Sequence, residues 1–173
     1  MSVTRLVTLA DAAELADLYS ANREFLAPWE PVRQEDFFTE AGQRAGLTVM
    51  LDDHAHGRAV PRVIVDDDGA IAGRVSLVDI VRGAFQSGNL GYWVSGTANG
   101  RGLATRAVGE IVEIAFDGLG LHRVQAATLV HNERSQRVLG RNGFVRYGIA
   151  PDYCKIAGRW QDHALYQAIR AEG

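Results

Sequence analysis

Apolar and polar positions follow two rhythms along this chain, one of period two and one near 3.6, and the switches between them divide it into elements. "VTRLVTL" reads as an opening strand. In "ADAAELADLYSANREFL" the residues Ala12, Leu15, Ala16, Leu18 and Tyr19 share one helical face, with Asp11 as its cap. "APWEPV" interrupts with Pro28 and Pro31 and predicts a loop. A second helix is predicted between Glu35 and about Asp53; Gly42 and Gly46 weaken it and allow it to break into two pieces.

"RVIVDDDGAIAGRVSLVDIV" is a hairpin turning through Asp66 to Gly69, and "GNLGYWV" is a further strand after the loop "RGAFQSG". A glycine turn follows, then a helix from about Arg101 to Phe116, where Leu103, Ala107, Val108, Ile111, Ile114 and Ala115 form one apolar stripe ended by "LGL". "HRVQAATLV" is a strand and "NERSQRVLGRN" a short helix. "FVRYGIAPDYCKI" and "WQDHALYQAI" close the chain as a hairpin through Ala157 and Gly158. Strands that run first in sequence and then alternate with helices predict an α/β chain with a mixed sheet, in which the central segment alone looks like a βαβ unit.

Composition adds limits. The length of 173 residues suits one domain, and 47% apolar with 23% charged residues is ordinary for a chain that folds by itself. A net charge of -3 argues against a nucleic-acid partner, yet Asn99 to Arg146 carries seven arginines against four acids, leaving an acidic body with one basic segment. That bias suits a small phosphate-bearing ligand, although scattered solvated charge would give the same count. Cys154 is the lone cysteine, no stretch approaches the roughly 20 apolar residues of a membrane span, and the first residues lack a secretion signal, so a cytoplasmic protein is expected.

The chemistry concentrates in "NGRGLATRAV". Strand, glycine turn and helix leave backbone N–H groups unpaired at the positive end of a helix dipole, a seat for phosphate oxygens. Gly100 and Gly102 remove Cβ atoms from that seat, Ala104 stays small, Arg101 adds charge and Thr105 can donate a hydroxyl. Two familiar nucleotide loops fail here: no G-K-[ST] follows at Walker spacing, and Thr105 stands where a dinucleotide fingerprint needs its third glycine.

Asn99-Gly100-Arg101-Gly102-Leu103-Ala104 instead resembles the [Q/R]-x-x-G-x-[G/A] acetyl-CoA motif of the GNAT superfamily of N-acetyltransferases, with Asn99 where Gln or Arg is usual. "FLAPWEPV", "VRGAFQSGNLGYWV", "NERSQRVLGRNGF" and "APDYCKIAGRWQDHALY" are similar to the Rim-type subfamily that acetylates N-termini of ribosomal proteins, nearest the branch acting on an N-terminal alanine. The resemblance spans nearly the whole chain and implies a strongly twisted mixed sheet of about seven strands, flanked by helices and split into a V.

It also implies a reaction and its residues. Acetyl-CoA is the expected cosubstrate, with no metal, and the amine attacks the thioester directly. The backbone N–H of Val94 is expected to polarise the carbonyl, with pantetheine alongside Tyr92, Trp93 and Val94. Asn132 is expected against the pantetheine amide and Ser135 near the sulfur; helix capping by Asn132 and a surface Ser135 are the plainer alternatives. Glu30 is expected to bind or deprotonate the amine, with Trp29 as pocket wall and Glu35 as a distant second, unless Glu30 is only a solvated loop carboxylate.

Tyr153 and Tyr166 are candidates for the acceptor cleft. Cys154 reads as structural filler, and His54, His56, His122, His131 and His163 lack ligand spacing. The expected acceptor is a protein N-terminus, with a small-molecule amine or a non-catalytic acyl-CoA sensor as alternatives. Monomer and homodimer both fit.

Overall fold

The two rhythms fold into a seven-stranded sheet with helices on both faces, in a computed structural model that describes residues 2–171. Strands β1 (Thr4–Leu6), β2 (Val60–Val65), β3 (Ile71–Val81) and β4 (Ser87–Val94) neighbour one another antiparallel. β5 (Arg123–Leu129) lies parallel to β4, and β7 (Arg159–Ile169) and β6 (Val145–Ile156) follow it antiparallel. The parallel step is the predicted βαβ unit, crossed by helix α4 (Leu103–Glu113).

Adjacent residues of β2 show why both faces need cover. Val63 packs among Leu15 and Tyr19 of α1 (Ala12–Ala21) and Leu47 of α3 (Glu40–Ala55), while Ile64 packs with Val108 and Ile111 of α4. All but Tyr19 are within 1% of full burial, and each such aliphatic side chain contributes about 1.5–3 kcal/mol by leaving water.

The sheet opens at its centre. β4 and β5 pair from Ser87–Arg123 to Leu90–Ala126; beyond that, Gly91–Val94 stay bonded to β3 and Ala127–Leu129 to β7. The strands diverge there as the expected V, each leaving an unpaired edge toward the gap.

Local expectations are refined at four points. Asp11 does stand at the N-cap position of α1, but its side chain makes no cap bond to that helix: it ends a 3-10 turn, its carboxylate accepting from the Thr8 N–H (2.8 Å) and pairing with Arg5 (2.8 Å). The first helix also divides at Asn22, where α2 (Arg23–Leu26) begins and the Asn22 side chain accepts from the Gly96 N–H at 2.8 Å. The second helix does break in two, but at Thr39, whose hydroxyl caps α3 by accepting from the Gly42 N–H (3.1 Å), after a 3-10 turn over Glu35–Phe38. Gly42 is needed for a different reason, because a Cβ there would lie 1.9 Å from the Asp36 carbonyl oxygen. Finally, α4 starts at Leu103 rather than Arg101, since Gly100 and Gly102 take φ of 79° and 77°, and it relaxes into a π-turn over Ile114–Gly118. The closing hairpin turns as predicted through Ala157 and Gly158, both at positive φ. Among the described residues no helix is long and apolar enough to cross a membrane.

Candidate active site

The glycine turn forms one wall of a cavity of about 460 Å³. Asn99, Gly100, Gly102, Leu103, Ala104 and Thr105 line it on one side, and Arg134, Arg137 and Arg141 of α5 (Glu133–Arg141) on the other. A Cβ built on Gly100 or Gly102 would meet no protein atom within 4 Å, so the bareness serves the cavity and the backbone angles rather than protein packing. No side chain caps the start of α4, which leaves its first N–H groups available to phosphate oxygens. Arg101, expected to charge this cradle, instead reaches Asp67 in the β2–β3 turn (3.1 Å), and the facing cations come from α5. Their spacing of three and four residues puts them on one helical face, a signal present in "NERSQRVLGR".

The cavity continues along the open edge of β4. Val94, Asn99, Ala104, Arg134 and Val138 border both it and a narrower channel of about 160 Å³, whose further walls include Tyr92, Trp93, Asn132 and Ser135. The Ser95 N–H donates to the Ala72 carbonyl across β3 at 2.8 Å. Backbone groups alternate along a strand, so the N–H groups of Val94 and Tyr92 turn the other way, into the gap. The Tyr92 hydroxyl lies 2.9 Å from Ser135 Oγ and donates to the Ser135 carbonyl at 3.1 Å; burial pushes its pKa up to about 12, so it stays protonated. Asn132 does cap α5, its side-chain oxygen accepting from the Ser135 N–H at 3.1 Å, and that same bond fixes both residues in the channel wall.

The channel opens into a cleft of about 520 Å³ between the diverging strands and the Pro28–Pro31 loop. Glu30 and Trp29 line it, as does Tyr153. The Glu30 carboxyl is 20% exposed, and burial raises its pKa against the opposing pull of Arg33, 3.8 Å away, and of Arg74. It is therefore no freely solvated loop carboxylate. Its own carbonyl accepts from the Ala157 N–H (3.0 Å), which ties the loop to the β6–β7 turn. Opposite, the Trp93 indole donates to the Tyr19 hydroxyl (2.8 Å), stiffening the floor.

Other candidates are sorted by position. Glu35 is exposed and bonded to Arg23, outside the cleft. Tyr166 is buried beneath α5, donating to Gln136 (3.0 Å), and does not line the cleft. Cys154 and His163 do line it; His163 holds its Nδ1 against the Gln161 carbonyl (2.9 Å). His131 packs its ring on Trp29, while His54 and His56 bond to the backbone carbonyls of Ala59 and Asp52. Tyr19, Arg33, Met50 and Arg74 also reach the cleft, none of them foreseen, because separate elements bring them together.

Both the sequence and the fold have known relatives. Residues 3–145 match the family model for an acetyltransferase (GNAT) domain. Over 94% of its length the chain is 38% identical to the ribosomal protein uS5-alanine N-acetyltransferase of Escherichia coli (strain K12), covering 84% of it. The structure of the ribosomal-protein-S5-alanine acetyltransferase from Vibrio fischeri superposes with a TM-score of 0.92 at 38% identity, over 96% of this chain and 91% of that one. Mycobacterium smegmatis RimJ, solved with CoA-disulfide, superposes at 0.91 with 30% identity, over 96% and 80%.

Proposed function

We propose, from the premise that this chain belongs to the GNAT family of acetyltransferases, that it moves the acetyl group of acetyl-CoA onto the N-terminal alanine of a ribosomal protein, in the cytoplasm where ribosomes are made. The observation that carries the reading is one continuous path: from the bare cradle at Gly100–Thr105, past the outward N–H groups of β4, to a cleft containing a largely desolvated carboxylate.

Acetyl-CoA supplies an acetyl thioester; its transfer forms an amide and frees a thiol, with one proton leaving the amine and one reaching sulfur. The residues fit that requirement. The first-turn N–H groups of α4 with Arg134, Arg137 and Arg141 hold a diphosphate, and Asn132 and the edge of β4 hold the arm. The Val94 N–H donates toward the carbonyl oxygen. With the coenzyme bound, the Tyr92 hydroxyl turns its proton to Ser135 Oγ, which leaves the Ser135 hydrogen to donate toward a sulfur whose thiol pKa is about 8.5. An α-amine with a pKa near 8 is about one-tenth neutral at pH 7, so it needs little help, and Glu30 takes its proton.

Mass spectrometry of ribosomal proteins from cells with and without the gene tests this. One N-terminus should lose a single acetyl group on deletion. An unchanged set of N-termini would sink the reading.

A further inference from the structure

Arg74 is the residue of the cleft that the reaction above leaves unexplained. It sits on β3, 8% exposed, opposite Trp93 in the β3–β4 register. Its Nε is buried and has no hydrogen-bond partner among the described residues, and Nη2 rests on the thioether sulfur of Met50, a poor acceptor. No carboxylate of the protein forms an ion pair with it among the described residues; Glu30, the acid that feels its charge, is paired instead with Arg33. A guanidinium desolvated to this degree without an anion costs several kcal/mol in general, a cost that an anion entering the cleft would offset. With Glu30, Arg33 and Arg74 together, the three side chains bring one excess positive charge to the cleft.

Resting on the reading of this cleft as an N-terminal acceptor site, we propose that Arg74 is an anion subsite for the acceptor: it takes the carboxylate of an Asp or Glu side chain at the second or third residue of the acetylated protein. The planar fork of Nε and Nη matches two carboxylate oxygens, and a carboxylate displaces the weak sulfur contact at no loss. Directly opposed strand residues have Cβ atoms about 4.5–5.5 Å apart, so Arg74 lies one strand away from the β4 edge where the amine must react, within reach of a side chain one or two residues along the substrate. The same excess charge discriminates against polyamines, whose additional ammonium groups would face Arg33 and Arg74.

The test uses peptides with an N-terminal alanine that differ in carrying Glu or Gln at position two, or at position three. With the native enzyme, kcat/KM should favour glutamate about tenfold or more at one of these positions, the difference lying in KM, since a charged hydrogen-bonded pair is of that order. In Arg74→Met, of similar volume, the Glu/Gln ratio should fall to within about threefold, and Arg74→Lys should restore part of it. Equal rates for Glu and Gln peptides at both positions in the native enzyme, or a ratio that survives in Arg74→Met, would overturn the subsite. Acceptor-dependent CoA release with the Gln peptides keeps the underlying reading standing in that case; no release above background with any peptide would overturn both.

Discussion

Tyr92 and Ser135 meet hydroxyl to hydroxyl at 2.9 Å, across the space between the open edge of β4 and the start of α5. The tyrosine is the fixed member, buried and protonated with a pKa of about 12, and it also grips the Ser135 carbonyl at 3.1 Å. Ser135 is thereby oriented rather than free to rotate. Ser135→Ala should lower kcat by about tenfold or more while changing acetyl-CoA affinity by less than threefold. Tyr92→Phe should cost only a few-fold in kcat, in keeping with one hydrogen bond of about 1 kcal/mol. Steady-state kinetics with titration calorimetry separates the two effects.

Gly102 offers a cleaner test of the cradle. Its φ of 77° disfavours any other residue by roughly 1–2 kcal/mol, but the protein itself has open space where a Cβ would go. Gly102→Val should therefore stay folded by circular dichroism while its affinity for acetyl-CoA drops by about 100-fold or more. Retained affinity in a folded variant would remove the diphosphate from this turn.

Glu30, as the proposed proton acceptor, should shape the acid side of the pH profile. Burial holds its proton to a higher pH than an ordinary carboxyl does, against the pull of Arg33 and Arg74. A proton acceptor must be ionised, so kcat/KM should fall as pH drops through that raised value, starting above the usual 4.5, and should level off once the α-amine is neutral, above a pH of about 8. Glu30→Gln should remove the steeper fall below that raised value, leave the amine's own dependence up to about pH 8 in place, and slow turnover by roughly 10–100-fold. Because a carboxyl with a raised native pKa is destabilising once ionised, the variant should melt no lower than the native protein at pH 7.

Glu110 behaves in the opposite sense. Burial would raise its pKa, but the Thr4 and Ser2 hydroxyls and the N–H groups of Val3 (2.6 Å) and Thr4 (3.1 Å) all donate to it and bring the pKa below the usual 4.5. That stabilisation is complete above the unfolded value and is lost as pH falls through the lower native one. Glu110→Gln should cost about 1–2 kcal/mol in urea unfolding at pH 7, with the difference from the native protein shrinking in strong acid.

The parts of the site read from sequence are those made by neighbours in the chain. The cradle is a run of six residues whose glycines and helix start are visible as letters, and Asn132 and Ser135 are three apart on one helix. The βαβ unit and both hairpin turns were legible for the same reason. Arg101 misled because its nearest partner, Asp67, is 34 positions away along the chain. Arg74 was invisible as a site residue: its strand pattern shows one charge among buried neighbours, and nothing local says that Met50 and Glu30 will arrive beside it. Helix ends were misjudged by a few residues wherever a side chain such as Thr39 or Asn22 took over a backbone bond.

The opening between β4 and β5 has a further consequence. Four residue pairs join the two halves of the sheet, and the amides exposed below them are left for a ligand whose own amides can bridge the divide. A ligand that stitches a fold together in this way is a structural member as well as a reactant, and its binding energy adds to the resistance against unfolding. The melting temperature would then rise with the concentration of bound coenzyme, free or acetylated.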